Sequence, residues 1–375
     1  MADKALKEAL ELFRESEAGS SDTRERAIED IKFARLGEQW PEAVAKTRRD
    51  EGRPCLTINR MPSFVRRVVN DARQNKPSIA VHPVDGGGDY DTAQVIGGLI
   101  RSIERGSNAA LAYDTAIDHA CSGGFGFFRI TTDYCNPMSF DQEARIERVA
   151  NPFSVHWDVN STAFDASDWG YAFVSEMLTE AEFKTRYKKA AAVSFQEGLG
   201  EDWEGWCTDD GVRVSEYWRR SEHVRKIVQL STGEVMEAAD LDKPMEIEPG
   251  LMLPTKAVME LQGITINRER DSTFFKVKRR VMSGVEVLDE VDWPGTMIPI
   301  CPVWGEEVNY RGKRYFRSLI RDARDPQMMM NFWRSASTEL VALAPKAPWL
   351  VPLGGIPPEE QIKWQTANTR SHAYL

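Results

Sequence analysis

Apolar residues recur at helical spacing from the first positions of the chain, which predicts helix from Ala2 to Gln39 with a break near Glu17-Ala18-Gly19-Ser20-Ser21. Ser21 or Asp22 can cap the second segment, Glu25 completes a capping-box pattern with Asp22, and Ile28, Ile31 and Ala34 mark its apolar face. Trp40-Pro41 and the turn at Gly52-Arg53-Pro54 precede a helix from Met61 to about Asn75 that Asn59 can cap. Phe64, Val65, Val68, Val69 and Ala72 form one face of it, the usual mark of core packing. Pro77 to Val84 reads as a short strand, and Asp85 to Asp91 as a glycine loop whose last residue can cap a long helix reaching Ala120. Gly97, Gly98 and Gly106 predict either close backbone packing of this helix or a break near Arg105-Gly106-Ser107-Asn108. Cys121 to Tyr134 is a glycine turn entering a strand.

Between Glu143 and Tyr217 strands alternate with a loop rich in Asp, Asn and Ser and with one helix, Thr179 to Lys189. From Val224 to Val291 the period becomes two, predicting antiparallel strands with a hairpin turned at Ser283-Gly284. Arg311 to Arg324 then reads as a basic helical segment, followed at Asp325-Pro326 by a second helix to about Ala344. At ~1.5 Å per residue these segments together make a rod about 45 Å long. The fold class so predicted is α+β, without internal repeats or low-complexity linkers, and the clearest pattern shifts fall near 300 and 345.

Composition narrows the chemistry. The chain has 375 residues, enough for a large core or two domains, and no apolar run near the ~18 residues a membrane helix needs. Its start lacks a secretory pattern, so synthesis and retention in the cytoplasm are expected. Cys55, Cys121, Cys135, Cys207 and Cys301 lie far apart, without zinc spacing, and read as reduced, mostly buried thiols. A net charge of -10 argues against a protein that grips nucleic acid, although it suits a surface that DNA slides past.

Candidate sites are few. Gly123-Gly124-Phe125-Gly126 follows a helix and precedes a strand, the reverse of a phosphate loop, and reads as a tight turn. Gly86 to Gly88 lacks a lysine and is flanked by Asp85, Asp89 and Asp91, so it reads as a flexible loop. Asp158, Asn160, Asp165 and Asp168 are oxygen ligands suited to calcium or magnesium, but they are also ordinary turn formers and their spacing is not that of an EF-hand. No histidine pairs with a nucleophile, no catalytic residue is assigned, and no cofactor is expected. Arg314, Arg317, Arg321 and Arg324, with Arg311 and Lys313, form a dense basic cluster. On a helix several would share a face, as a solvated surface, as ion pairs to a neighbouring chain, or as contacts to DNA phosphates. Met329, Phe332, Trp333, Ala336 and Leu340 give the next helix more apolar surface than one packing stripe needs, so part of it should meet another helix or subunit.

Taken in order, Gly37-Glu38-Gln39-Trp40, the stretch Gly52 to Arg60, Pro77 to Pro83, the helix from Asp91 and the Gly123 turn resemble the portal proteins of short-tailed bacteriophages. Asn151 to Asp158, Asp165 to Asp168, Arg321 to Gln327 and Asn331 to Pro348 continue the series across most of the chain. The resemblance implies a homo-oligomeric ring, a dodecamer as a rule, at one capsid vertex of the virion. It implies a wing domain over 1–300, a stem helix region over 301–345 and the start of a clip domain over 346–375. The implied partners are the terminase motor, a tail adaptor, capsid and scaffolding proteins, and double-stranded DNA passing without sequence specificity. Portal chains of this kind continue beyond the position of Leu375, so the chain is expected to stop inside the clip and to leave apolar stem surface exposed. The competing readings are a metal-dependent enzyme acting on nucleic acid or nucleotides, centred on Asp158 to Asp168, and another ring-forming virion component such as a tail adaptor.

Overall fold

The computed structural model describes residues 2–76, 78–84, 88–188, 190, 207–208, 211–248, 251–343, 351–352 and 354–365. Pro77, the glycine loop at Gly86 and Gly87, Lys189, and Ala344 to Pro348 fall outside them. The chain is mixed α and β and divides into two units, one of residues 1–22, 80–116 and 127–303, the other of 23–79, 117–126 and 304–375.

The helices are α1 (Ala2–Ile31), α2 (Glu42–Asp50), α3 (Met61–Gln74), α4 (Tyr90–Gly106), α5 (Ala109–Gly123), α6 (Glu180–Arg186), α7 (Thr255–Leu261), α8 (Arg324–Leu343) and α9 (Gln361–Gln365). In the first unit, a three-stranded sheet joins β1 (Phe125–Tyr134), β2 (Gln142–Arg148) and Ile300–Trp304. A larger sheet contains β3 (Val155–Trp157), β4 (Tyr171–Leu178), β5 (Cys207–Thr208), β6 (Gly211–Leu230) and β7 (Val235–Glu237). Past β8 (Pro244–Glu248) and β9 (Leu251–Pro254), which pair with each other, come its last members, β10 (Ile266–Ser283) and β11 (Val287–Trp293). The central order is β11-β10-β6-β4-β3. The expected hairpin is the β10–β11 turn at Ser283, whose hydroxyl accepts from Val285 and Glu286 amides.

The core of this unit is aromatic. Phe13 of α1 meets the edge of Phe173 at 5.3 Å, and Phe173 stacks on Tyr217 at 4.8 Å, over Ala9, Tyr171 and Met282. Helix α1 runs through Gly19-Ser20-Ser21 without the expected break. A Cβ on Gly19 would lie 2.9 Å from Val159, and the Ser16 hydroxyl donates to the Trp157 carbonyl at 2.7 Å. The small residues therefore serve close packing of a continuous helix, not a turn. The long helix expected up to Ala120 does break, at Ser107 and Asn108, where Asn108 takes φ 51. Arg145 donates to the Gly106 carbonyl and Ser107 accepts from the Ile146 amide, so β2 satisfies the groups the break exposes. The cap of α4 is Asp89, not Asp91; its carboxylate accepts from the Asp91 and Thr92 amides.

In the second unit Phe33, Ala34, Met61, Val65, Val69, Cys121 and Ile320 form the core. Only one line of the α3 stripe enters it, since Phe64 is 61% exposed and Val68 40%. The N-cap position of α3 is Arg60, not the expected Asn59, which sits one residue earlier, accepts from the Met61 amide and donates to the Ala34 carbonyl at 2.8 Å. No strand forms over the described residues 78–84, where Pro83 removes a ladder donor.

Two glycines let three backbones touch in this unit. Gly124 has φ 92, and a Cβ on it would meet the Phe316 carbonyl oxygen at 2.9 Å. A Cβ on Gly305 would lie 2.4 Å from the Arg317 carbonyl oxygen, while the Gly305 amide donates to the Gly124 carbonyl. The Gly123 cluster is thus a tight turn crowded by backbone.

Candidate functional site

The segment Arg311 to Arg324 is not the basic helix that its charge density suggests. Two further strands, β12 (Glu306–Tyr310) and β13 (Lys313–Arg317), form a hairpin whose turn places Arg311 at φ 51 and Gly312 at φ 75. Both central residues are left-handed, as a tight two-residue hairpin requires, and glycine at the second makes this cheap. A short 3-10 turn, Arg321–Ala323, then leads into α8, so the rod is one helix of 20 residues, about 30 Å at ~1.5 Å per residue.

The arginines are consequently distributed among local carboxylates. Arg314 grips Glu307 with two bonds, 2.8 and 3.2 Å, and lies over the Phe316 ring, itself stacked on Trp304 at 3.8 Å. Arg317 pairs with Asp322. Arg321 reaches Glu29 at 3.1 Å, Asp30 at 3.2 Å and the Arg26 carbonyl at 2.7 Å; Arg324 reaches Glu29 at 2.9 Å and Asp30 at 3.3 Å. Asp30 also accepts from the Ser318 hydroxyl at 2.7 Å, and Ser318 in turn accepts from the Ile320 and Arg321 amides. The result is a staple holding the entry of α8 against the end of α1. Burial pushes the Asp30 carboxyl up, against the opposing pull of Ser318 and the two arginines, whereas Glu29, more exposed, is held below its ordinary range by hydrogen bonds from Arg324 and Arg321.

Helix α8 itself is turned opposite to an ordinary surface helix. Its buried side is polar. Gln327, Asn331 and Ser335, at intervals of four, are nearly or wholly buried and bind the backbone of the extended segment before α3. The Arg60 amide donates to Gln327 at 3.3 Å, the Ile58 amide to Asn331 at 3.0 Å and the Leu56 amide to Ser335 at 2.9 Å. Gln327 returns a bond to the Ile58 carbonyl at 2.8 Å, Asn331 donates to Gln39, and Glu339 ends the row on Arg48 and Arg53. Four helical residues rise about 6 Å and two extended residues about 6.6 Å, so the two periods stay in step over three rungs.

The opposite side of α8 is apolar and open. Met329 is 55% exposed, Phe332 36%, Trp333 69% and Leu340 70%, with Ala336 exposed among them. Trp40 leans on Phe332 at 4.5 Å and extends the patch. All the residues singled out from the sequence for stem packing lie on this face. What the sequence reading missed is the polar row behind them, whose signal was the recurrence of Gln, Asn, Ser and Glu at every fourth position.

The Asp158 to Asp168 loop, in the other unit, uses its carboxylates as internal ties. Asp168 accepts from the Ser161 hydroxyl at 2.6 Å and from the Thr162 and Ala163 amides, and Asp158 from the Asn160 and Gly170 amides. Burial by itself would raise the Asp168 carboxyl, but these hydrogen bonds together outweigh it and bring it to about 2. Among the described residues no group of three or more His, Cys, Asp or Glu is placed to hold a metal ion. Burial raises the Cys121 and Cys301 thiols to about 11, which leaves them protonated and poor nucleophiles at neutral pH. No helix among the described residues is long and apolar enough to cross a membrane.

Helix α8 is thus held through its polar side with its apolar side outward. A portal protein from Acyrthosiphon pisum secondary endosymbiont phage 1 is 27% identical over 368 residues, covering 94% of this chain and 49% of that relative. The chain therefore spans about half the length of the relative. The family model described as Phage P22-like portal protein matches residues 10–375, and this chain belongs to the Phage P22-like portal protein family.

Proposed function

We propose that the chain is a structural subunit, without catalytic activity, of a homo-oligomeric portal ring at one capsid vertex of the virion. In this reading 1–300 is the wing, 301–345 the stem region with α8 as its helix, and 346–375 the start of the clip. The ring serves as conduit for DNA packaging and ejection and as docking site for the terminase motor and tail adaptor, in contact with capsid and scaffolding proteins. The observation that carries the proposal is the open apolar face of α8, since a helix anchored by its polar side has only another chain segment or subunit to cover Trp333 and Leu340. Arg321 and Arg324 belong to the staple that aims this helix, which favours subunit geometry over direct contact with DNA phosphates.

Negative-stain electron microscopy with mass determination tests the reading, on this chain and on a form extended by the sequence that aligns with the rest of the relative. Rings with a central hole are expected in the extended form, and monomers or small aggregates in its Trp333→Asp/Leu340→Asp variant. Compact monomers of the extended wild type would overturn the proposal.

A further inference from the structure

The longest strands of the fold, β6 and β10, pair over most of their length, and the pairing sorts charge by face. Residues opposite one another in an antiparallel pair share a face. One face carries Arg219, His223 and Arg225 from β6 opposite Lys278, Phe274 and Ser272 of β10. The same face continues through Lys276, Arg270 and Arg268, opposite Ser221, Ile227 and Gln229. Between Arg219 and Gln229, and between Arg268 and Arg280, neither strand contributes a carboxylate to it. The reverse face is mixed, with Glu222, Glu269 and Asp271 among Arg220, Lys226 and Arg279. In a chain of net charge -10 this segregation is local and one-sided.

Part of the basic face is compensated by neighbouring elements: Arg219 by Glu8, Arg225 by Glu237, and Lys278 and Arg280 by Glu290. Among the described residues no ion pair is found for Arg268, Arg270 or Lys276 in the outer stretch, where they and His223 are exposed. Phe274 lies among them under the Arg225 guanidinium, 5.1 Å from its ring centre. Along β10, positions two apart are about 7 Å from each other, and Arg268 to Lys276 spans about 27 Å. Charged residues on an edge strand also discourage sheet-to-sheet pairing, but a guard of that kind works with either sign and has no reason to concentrate cations on one face.

We infer that this face of the β6–β10 ribbon, centred on Arg268, Arg270 and Lys276, binds the phosphate backbone of double-stranded DNA without sequence preference. β6 and β10 stand as two strands alone only between about Ser221 and Lys226, and at Ile227 to Gln229 β7 joins β6 and sets Glu237 on this face, so it is the exposed cations along the free edge of β10 that meet phosphates recurring every ~3.4 Å of axis on each strand. The inference goes beyond the ring proposal and does not need it, because the ribbon lies within one unit of a single chain.

The test is fluorescence anisotropy of the full chain with a labelled 30-base-pair duplex of arbitrary sequence, between 50 and 200 mM NaCl. Binding is expected, alike for unrelated sequences. The Arg268→Gln/Arg270→Gln/Lys276→Gln variant should bind at least about tenfold more weakly at 50 mM, with a salt slope shallower by about two to three. A Arg268→Lys/Arg270→Lys variant should retain binding, and an unchanged thermal transition shows that the glutamine variant is folded. No binding by wild type at 50 mM, an unaffected glutamine variant, or preference for polyglutamate over the duplex would each overturn the inference. Rings that form normally while duplex binding is absent would discard this site and leave the portal reading standing.

Discussion

Glu29 and Asp30 are adjacent in sequence and share the same two arginines, yet their environments set different roles. Glu29 keeps about half of its side chain in solvent, whereas Asp30 is buried at 3% exposure and also holds Ser318. Removing a buried partner leaves charge uncompensated, while an exposed pair contributes little. Asp30→Ala is therefore expected to cost about 3 kcal/mol and Glu29→Ala less than about 1 kcal/mol, compared by differential scanning calorimetry. Equal effects would mean that burial does not govern the staple. Asp168 supplies a pH test. Its folded carboxyl is depressed to about 2, so its contribution is present above the unfolded carboxylate value of ~4 and is lost as pH falls from there toward 2. Because the group is exposed, solvent screening reduces the shift to about 1 kcal/mol. Asp168→Asn should melt below wild type at pH 7, and the gap should close near pH 2.

At the scale of elements, α8 predicts an inversion of the usual mutational rule. Asn331 is fully buried and serves the Ile58 amide, Gln327 and Gln39, so Asn331→Ala orphans several polar groups and should cost about 2–4 kcal/mol. Accelerated hydrogen exchange at Leu56 and Ile58 is the local readout. Trp333→Ser, on the open apolar face, should change the stability of the isolated chain by less than about 0.5 kcal/mol. A large loss from Trp333→Ser would place that ring in the chain's own core. The hairpin before α8 depends on backbone contact instead: Gly305→Ala puts a methyl group against the Arg317 carbonyl and should destabilise the unit by more than about 2 kcal/mol.

For the molecule as a whole, the two kinds of surface make separate predictions. If the apolar face of α8 governs association, as proposed, its Trp333→Asp/Leu340→Asp variant should lose rings without losing duplex binding. If the basic face of β6 and β10 binds DNA, as inferred, its glutamine variant should do the reverse. A net charge of -10 argues against a protein that grips nucleic acid, and the duplex-binding test decides whether a basic field confined to one face overrides that sum.

Local pattern carried the sequence reading where contacts are local. The helix beginning after Thr179, the Ser283 hairpin, the α+β class and the break near Gly106 follow from turn chemistry and period, whereas the capping box expected at Asp22 and Glu25 lies inside the continuous α1. The order of family-like segments, from Gly37-Glu38-Gln39-Trp40 to Asn331 and beyond, pointed to the family before any coordinates. The residues of the outward stripe, Met329 to Leu340, were equally visible. What needed tertiary structure was every partner remote in sequence. Asp30 and Ser318 stand 288 positions apart, so the destination of Arg321 and Arg324 could not be read from their spacing. Basic density suggested a helix over Arg311 to Arg324, yet the left-handed pair at Arg311-Gly312 and the crowding at Gly305 made a hairpin. The period of two already sets Arg268, Arg270 and Lys276 on one side of β10, but only the pairing register shows that Arg219, His223 and Arg225 of β6 share that face. Sequence by itself determined the family and those elements whose signals are local, because both are written in short-range pattern; the tertiary structure decided the hairpin at Arg311-Gly312, which charges are neutralised and which surfaces stay open, because these depend on what distant segments bring together.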